Sequence, residues 1–541
     1  MSPLLAFVRN SIFSTFWSIY PSHRLPSIEV SVCPKRGFET NETGSLKGDL
    51  PFDWKFDLGS VSRRHQATQS TEMLRMHVPK AMASGKERRA AGLVLRDHIV
   101  QVPLDHLGKT NDQHIEVFVR EVEDAQSRKG GSSSSDKPCL LFLQGGPGFE
   151  CARPLESGGW IGEAVKEFRV MLMDQRGTGR SSPISTTSLQ RLGSPKQQAE
   201  YLKHFRADSI VRDAETVRRE IAGRDAQWTI MGQSFGGFCV LSYLSYHPHG
   251  VREALITGGI PPMWDGCSAE QVYRKLFPRV KLQNEKFYQR YPEDVDRARK
   301  IVQHLHDHKA STGDWPSLPS GSLLSPRMFQ LLGLSAMGNH CGFERLHYLM
   351  EGAWDGPPSQ EGEHLSPSFL REVENSLHFD TNPLYALLHE AAYCNGPGRA
   401  TLWAAQRVRV QEFADDFPEM MDGVPCDRPV YFTGEMVFPW MFDEMVYFRA
   451  LKETAQLLAE ETSWSKLYDV EELKQNQVPV ASATYYEDVY VDFDLSMESV
   501  GSIRGLRPWV TNEYMHSGVR EDGPRILERL LSMVRDTRPL R

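Results

Sequence analysis

No C-x-x-C pair occurs anywhere in this chain, whose eight cysteines (33, 139, 151, 239, 267, 341, 394 and 426) are scattered. That spacing excludes a thiolate zinc ribbon and argues against a disulfide framework, so reduced thiols of an intracellular protein are expected. An excess of positive charge is missing too. With 62 Lys+Arg against 70 Asp+Glu the formal charge is −8, which speaks against a nucleic-acid partner. No run reaches ~18 uncharged apolar residues, so neither a transmembrane helix nor a membrane partner is expected. G-x-G-x-x-G and the Walker lysine motif are absent, which removes the usual dinucleotide and nucleotide loops. No internal repeat is apparent. What is present, 40% apolar and 10% aromatic residues in a chain of 541, suffices for a sizeable core and excludes global disorder.

The first 90 residues differ from the rest. Residues 1–28 carry Arg9, Arg24 and six serines, with no acidic residue before Glu29. An acidic-poor, Ser-rich start of this kind is what a mitochondrial presequence looks like. A disordered extension is the plainer expectation, with a cytoplasmic location and a mitochondrial one as the alternative. Residues 34–90 read as a polar tether. Beyond them, IVQVPL and HIEVFVREV predict two strands, and QSRKGGSSSSDK (126–137) a flexible loop. PCLLFLQ (138–144), RVMLMD (169–174), QWTIMG (227–232) and EALITGG (253–259) are short continuous apolar runs. Such runs mark strands buried on both faces, and with helical patterns between them they predict a mostly parallel α/β sheet. From 265 to 428 strand signals fade into helical segments at 268–309, 327–352 and 398–415. Buried-type strands are predicted again at 429–434, 478–486 and 505–511. The organisation expected is therefore an extension (1–90), a first core part (91–264), a helical cap (265–428) and a second core part (429–541).

The strongest local signal is Gly232-Gln233-Ser234-Phe235-Gly236, placed after an apolar strand and before the helix-like FCVLSYLSYH. This is the G-x-S-x-G nucleophile elbow in its expected strand–turn–helix context. Its glycines admit a turn too tight for Cβ atoms. Ser234 is thus the predicted nucleophile, at a helix N-terminus whose amides stabilise an anion. A nucleophilic serine needs an oxyanion hole. Gln144-Gly145-Gly146-Pro147-Gly148, after the strand at 138–143, offers bare backbone for one, so the amides of Gly146 and Phe235 are assigned to it.

A base is needed as well. Folds that carry this elbow order their triad as Ser, acid, His. Of the 18 histidines only His516 lies beyond His389, which forces the base. The acid is chosen from those following the strand VPVASATYY. Asp488 is preferred as the first aspartate off its end, with Glu487 and Asp492 left as alternatives.

These motifs together resemble the proline iminopeptidases, serine peptidases of the α/β-hydrolase superfamily. The resemblance rests on QGGPG, on DQRGTGRS (174–181) and on GQSFGG, in this order. FRADSIVRDAE (205–215), TGGIPP (257–262) and the segments around Asp488 and His516 extend it over roughly 95–535. The chain departs from the family at Gln144, where His is usual, and at Phe235, where Trp is common. The resemblance implies an α/β-hydrolase fold with a large helical cap, and cofactor-free, metal-free removal of N-terminal proline from peptides. It also implies cap glutamates that hold the substrate amine. Glu435 in TGEMVFPWMF and Glu390 in NPLYALLHEAAYC are the candidates, and Tyr490 is expected to line the same pocket. Asp174 and Arg176 are expected to pair and brace the floor of the site.

Other readings weigh less. An esterase or amidase on the same fold is the nearest, since this fold hosts many chemistries. A non-catalytic binding protein would not need Ser, Asp and His in triad order. His304, His306 and His308 lie on a predicted helix and read as a solvated face rather than a metal site.

Overall fold

Nine strands form the sheet of the computed structural model, which describes residues 87–108, 112–126, 137–264, 266–357, 364–377, 379–423 and 428–536. The presequence reading, the tether reading up to residue 86, most of the loop 126–137, Cys33 and Cys426 lie outside the described residues. In chain order the strands are β1 (Arg88–Ala90), β2 (Leu93–Pro103), β3 (His114–Asp124), β4 (Cys139–Leu143) and β5 (Arg169–Met173). After them come β6 (Trp228–Gln233), β7 (Val251–Thr257), β8 (Val480–Tyr485) and β9 (Leu506–Thr511). Their spatial order is β1-β2-β3-β5-β4-β6-β7-β8-β9. The first three pairings are antiparallel, and every pairing from β5 to β9 is parallel.

The parallel strands are the continuous apolar runs of the sequence. β4, for example, is buried at all five residues. Helices therefore cover both faces. Gly159–Glu167 and Gly523–Val534 close a smaller core on one side, around Phe142, Leu172, Leu255 and Leu530. Ala207–Ile221 and Phe235–Tyr246 pack on the other, in a core continuous with that of the cap.

The cap is what enters between β7 and β8. Its longer helices are Ala269–Arg290, Asp294–Thr312, Gly342–Glu351, Pro367–Leu377, Ala404–Glu412 and Lys452–Glu460. The helical segment expected over 268–309 is interrupted around Pro292, whereas Pro278 is accommodated inside Ala269–Arg290. Two sequence expectations fail. β1 falls inside the segment read as tether. More consequentially, 429–434 is not a strand. The amide of Thr433 donates to Gln330 O (2.9 Å) and that of Phe432 to Asn284 Oδ1 (2.8 Å), while Tyr288 Oη donates to Val430 O (2.5 Å). A short apolar run looks the same whether its backbone is satisfied by a ladder or by scattered groups of the cap. Among the described residues no strand intervenes between β7 and β8, so 429–479 continues the connection between them.

Candidate active site

Ser234 sits where β6 meets the helix Phe235–Tyr246, with φ 56° and ψ −126°. For a residue with a Cβ this is a strained conformation, costing on the order of 1–3 kcal/mol. Its surroundings hold it there: the Ser234 amide donates to Thr257 O (2.9 Å) and its carbonyl accepts from the Gly237 amide (2.7 Å). A methyl group on Gly232 would lie 2.2 Å from Gly236 O, so no other residue permits the turn. The amide of Phe235, first in its helix, has no carbonyl four residues back to bond within that helix. The glycine turn after β4 lies alongside, since a methyl group on Gly145 would stand 3.0 Å from Cβ of Ser234. Gly146 within it has φ +138°.

The loop after β9 carries His516, and the loop after β8 brings Asp488 to it. His516 Nδ1 lies 2.7 Å from Asp488 Oδ2, and both residues are buried. A carboxylate at Nδ1 holds the proton there and leaves Nε2 as the acceptor. Asp488 Oδ1 is itself fixed by the amides of Tyr490 (2.8 Å) and Val491 (3.0 Å). The two alternative acids are used elsewhere. Glu487 pairs with Lys286 (2.6 Å), and Asp492 pairs with Arg279 while capping the helix Phe493–Val500. Gly258 makes room for the imidazole: its φ is +56°, and a methyl group there would lie 3.1 Å from His516 Nδ1.

Tyr490 lies with its ring 4.7 Å from that of His516. Its hydroxyl donates to Leu334 O (2.5 Å) and accepts from Asn339 Nδ2 (2.8 Å). It therefore ties the cap to the histidine. Glu435 comes from the cap into the same region and accepts from Tyr385 Oη (3.2 Å). It keeps some solvent contact, yet burial pushes its carboxyl up to about 7. The charge of His516 and the Tyr385 hydrogen bond oppose that rise, and Asp488 adds to it. Glu390 is placed differently. Its two oxygens accept from the amides of Ala404 (3.0 Å) and Ala405 (2.9 Å), so it caps the helix Ala404–Glu412. Burial pushes it up to about 7 as well, against the pull of those amides.

Three residues that the sequence reading did not single out line the approach to Glu435. The rings of Tyr385 and His389 are 5.1 Å apart, and those of His389 and Tyr393 6.3 Å. Phe149 meets Tyr385 edge-on at 5.5 Å, and Phe238 meets Tyr393 at 5.7 Å. Positions 385, 389 and 393 are spaced four apart, a signal that was legible as one shared face. Nδ1 of His389 and Oη of Tyr273 are buried without a hydrogen-bond partner among the described residues. Burial lowers His389 to about 4, so it is neutral at physiological pH.

The brace beneath the site differs from the expected one. Asp174 is held by both guanidinium amino groups of Arg153 (2.8 and 2.5 Å) and not by Arg176. Arg176 instead forms a buried bidentate pair with Asp213 (2.7 and 2.6 Å) and donates to the carbonyls of Leu104 and His204. The two residues are neighbours on the loop after β5 but point to opposite partners. Among the described residues no three metal-ligating side chains converge, and no helix is long and apolar enough to cross a membrane.

Similarity to known proteins agrees with this geometry. The family model for the alpha/beta hydrolase fold matches residues 138–315. A proline iminopeptidase of Aeromonas sobria is 44% identical over 445 residues, covering 82% of this chain and 97% of that relative. One of Aspergillus aculeatus is 34% identical over 441 residues, covering 81% of this chain and 92% of its own length. One of Neisseria gonorrhoeae is 32% identical over 127 residues, 24% of this chain and 34% of that protein. With the elbow, the His516–Asp488 pair and the helical cap in place, the chain belongs to the proline iminopeptidases of the α/β-hydrolase superfamily.

Proposed function

We propose that this protein is a serine aminopeptidase that hydrolyses the N-terminal proline from peptides, with Ser234, His516 and Asp488 as its triad. Ser234 Oγ attacks the prolyl carbonyl while His516 takes its proton, and Asp488 stabilises the imidazolium. The amides of Gly146 and Phe235 receive the negative charge of the tetrahedral intermediate. His516 then returns the proton to the departing amine, and water, activated by the same histidine, discharges the prolyl-enzyme.

The observation that carries the exopeptidase reading is Glu435, a crowded carboxylate whose pKa responds to both His516 and Asp488. A carboxylate this near the catalytic pair is costly to leave unpaired. The protonated ring nitrogen of an N-terminal proline satisfies it, and the aromatic rings of Phe149, Tyr385 and Tyr393 suit the pyrrolidine. Tyr490 acts on this pocket through His516 and the cap rather than through its hydroxyl, and Glu390 through the helix it caps. Free thiols at the six described cysteines support a cytoplasmic location.

The test is hydrolysis of a panel of aminoacyl- and prolyl-arylamides and simple esters by the purified protein and by Ser234→Ala. Prolyl-arylamides should be cleaved fastest, and Ser234→Ala should lose nearly all turnover. Faster cleavage of simple esters would replace this reading by a general esterase.

A further inference from the structure

Two arginines with no ion-pair partner among the described residues flank the place where the cap meets the segment after His516: Arg520, in Gly518–Glu521, and Arg345, on the cap helix Gly342–Glu351 that follows His340. Both are exposed to solvent, and both act electrostatically on the phenol of Tyr490, whose ring lies against His516. A link between cap and core lies beside them, His340 Nδ1 to Glu521 Oε2 at 3.7 Å. Glu521 also accepts from the hydroxyl of Ser517, and it makes no ion pair with Arg520 among the described residues.

Arg520 has a defined position. Its Nη2 donates to Gln233 Oε1 at 3.2 Å. A methyl group on Gly145 would lie 2.7 Å from that same oxygen and 3.0 Å from Cβ of Ser234. These contacts put the guanidinium no more than about 9 Å from the Ser234 Cβ, a reach of two to three extended residues at ~3.3–3.6 Å each. One of its five N–H donors is used on Gln233, which leaves the others for an acceptor. An unpaired guanidinium that is crowded by protein yet open to solvent is suited to a planar anion.

We propose that Arg520 and Arg345 form a subsite for the α-carboxylate of a short peptide, so that the enzyme favours prolyl di- and tripeptides with a free C-terminus. The inference rests on the aminopeptidase reading and adds to it the leaving-group side of the cleft. The carboxylate is held from the core by Arg520 and from the cap by Arg345. Both cations are solvated, so each contributes modestly and added salt weakens them.

The experiment compares kcat/KM for Pro-Ala with Pro-Ala-amide, and for Pro-Ala-Ala with its amide. It uses the wild type, Arg520→Gln, Arg345→Gln, the double variant and Arg520→Lys. Wild type should favour the free acids by roughly three- to tenfold. That ratio should shrink in each glutamine variant, vanish in the double variant, survive in part in Arg520→Lys, and fall as salt is raised. A wild type that cleaves acids and amides equally overturns the subsite while leaving the aminopeptidase standing. So does a ratio that persists in the double variant. If Arg520→Gln depresses both substrates equally and keeps the ratio, Arg520 only positions Gln233 and the subsite is again overturned. A wild type that cleaves no prolyl substrate overturns the aminopeptidase reading and the subsite together.

Discussion

Glu435→Gln tests whether the cap carboxylate holds the substrate amine, through a quantity in which the triad cancels. The quantity is the ratio of kcat/KM for a free prolyl-arylamide to that for its N-acetylated counterpart. In the proposed mechanism both substrates need the same Ser234, His516 and oxyanion amides, and only the free one carries a cation. Charge-assisted hydrogen bonds to that cation contribute about 1.5–3 kcal/mol, so the ratio should reach about ten- to a hundredfold. Its pH dependence follows from the burial that pushes Glu435 up to about 7 in the empty site. At pH 6 about one tenth of the enzyme carries the carboxylate, and at pH 7.5 about three quarters, by simple titration. Since kcat/KM reports groups of the free enzyme, the ratio should rise nearly tenfold over that interval. It should fall again where the substrate amine sheds its proton. In Glu435→Gln the ratio should be small and lack the rise. The assay is initial-rate hydrolysis of both substrates on both proteins from pH 5.5 to 9, which forms a double-mutant cycle at each pH. A ratio near one for the wild type throughout would refute the reasoning, as would a Gln variant that keeps both the ratio and its rise.

Three further outcomes follow from named contacts. Asp488→Asn should lower kcat by ~10⁴ by spoiling the histidine tautomer. Asp492→Asn, which keeps a capping oxygen but loses the charge of the Arg279 pair, should lower the urea midpoint and leave kcat within about tenfold. The reverse pattern would transfer the role of acid to Asp492. Gly258→Ala, with its methyl 3.1 Å from His516 Nδ1 at φ +56°, should reduce kcat on the order of tenfold or more with little change in KM, and unchanged kcat would show that the imidazole is not confined there. Glu390 has a folded pKa raised to about 7 above its ordinary 4.5, so the folded state binds its proton more tightly. The stability it contributes is fully present below about 4.5 and is lost as pH rises through about 7. Glu390→Gln should therefore lose less melting temperature than the wild type between pH 5 and pH 8, and parallel curves would count against the assignment.

The amino-acid sequence by itself determined those features that depend on a few adjacent residues. Continuous apolar runs specified β4 to β7 to within about two residues, because a strand buried on both faces has no polar position to spare. Gly232 and Gly236 specified the elbow, because the turn excludes Cβ atoms. His516 followed from chain order and from the lack of any later histidine. The tertiary structure alone decided which carboxylate serves which cation. Glu487, Asp488 and Asp492 are near neighbours in sequence. Lys286 and Arg279, on a cap helix some 200 positions earlier, engage the first and last and leave Asp488 to His516. Arg153 and Asp213 likewise separate Asp174 from Arg176, and the amides of Ala404 and Ala405 engage both oxygens of Glu390. The segment 429–434 has a strand's composition and no strand's partners. In each case the residue type sets what a side chain needs, a counter-charge or a hydrogen bond. Which group supplies it depends on distances between segments far apart in the chain, and those exist only once the sheet and cap have packed.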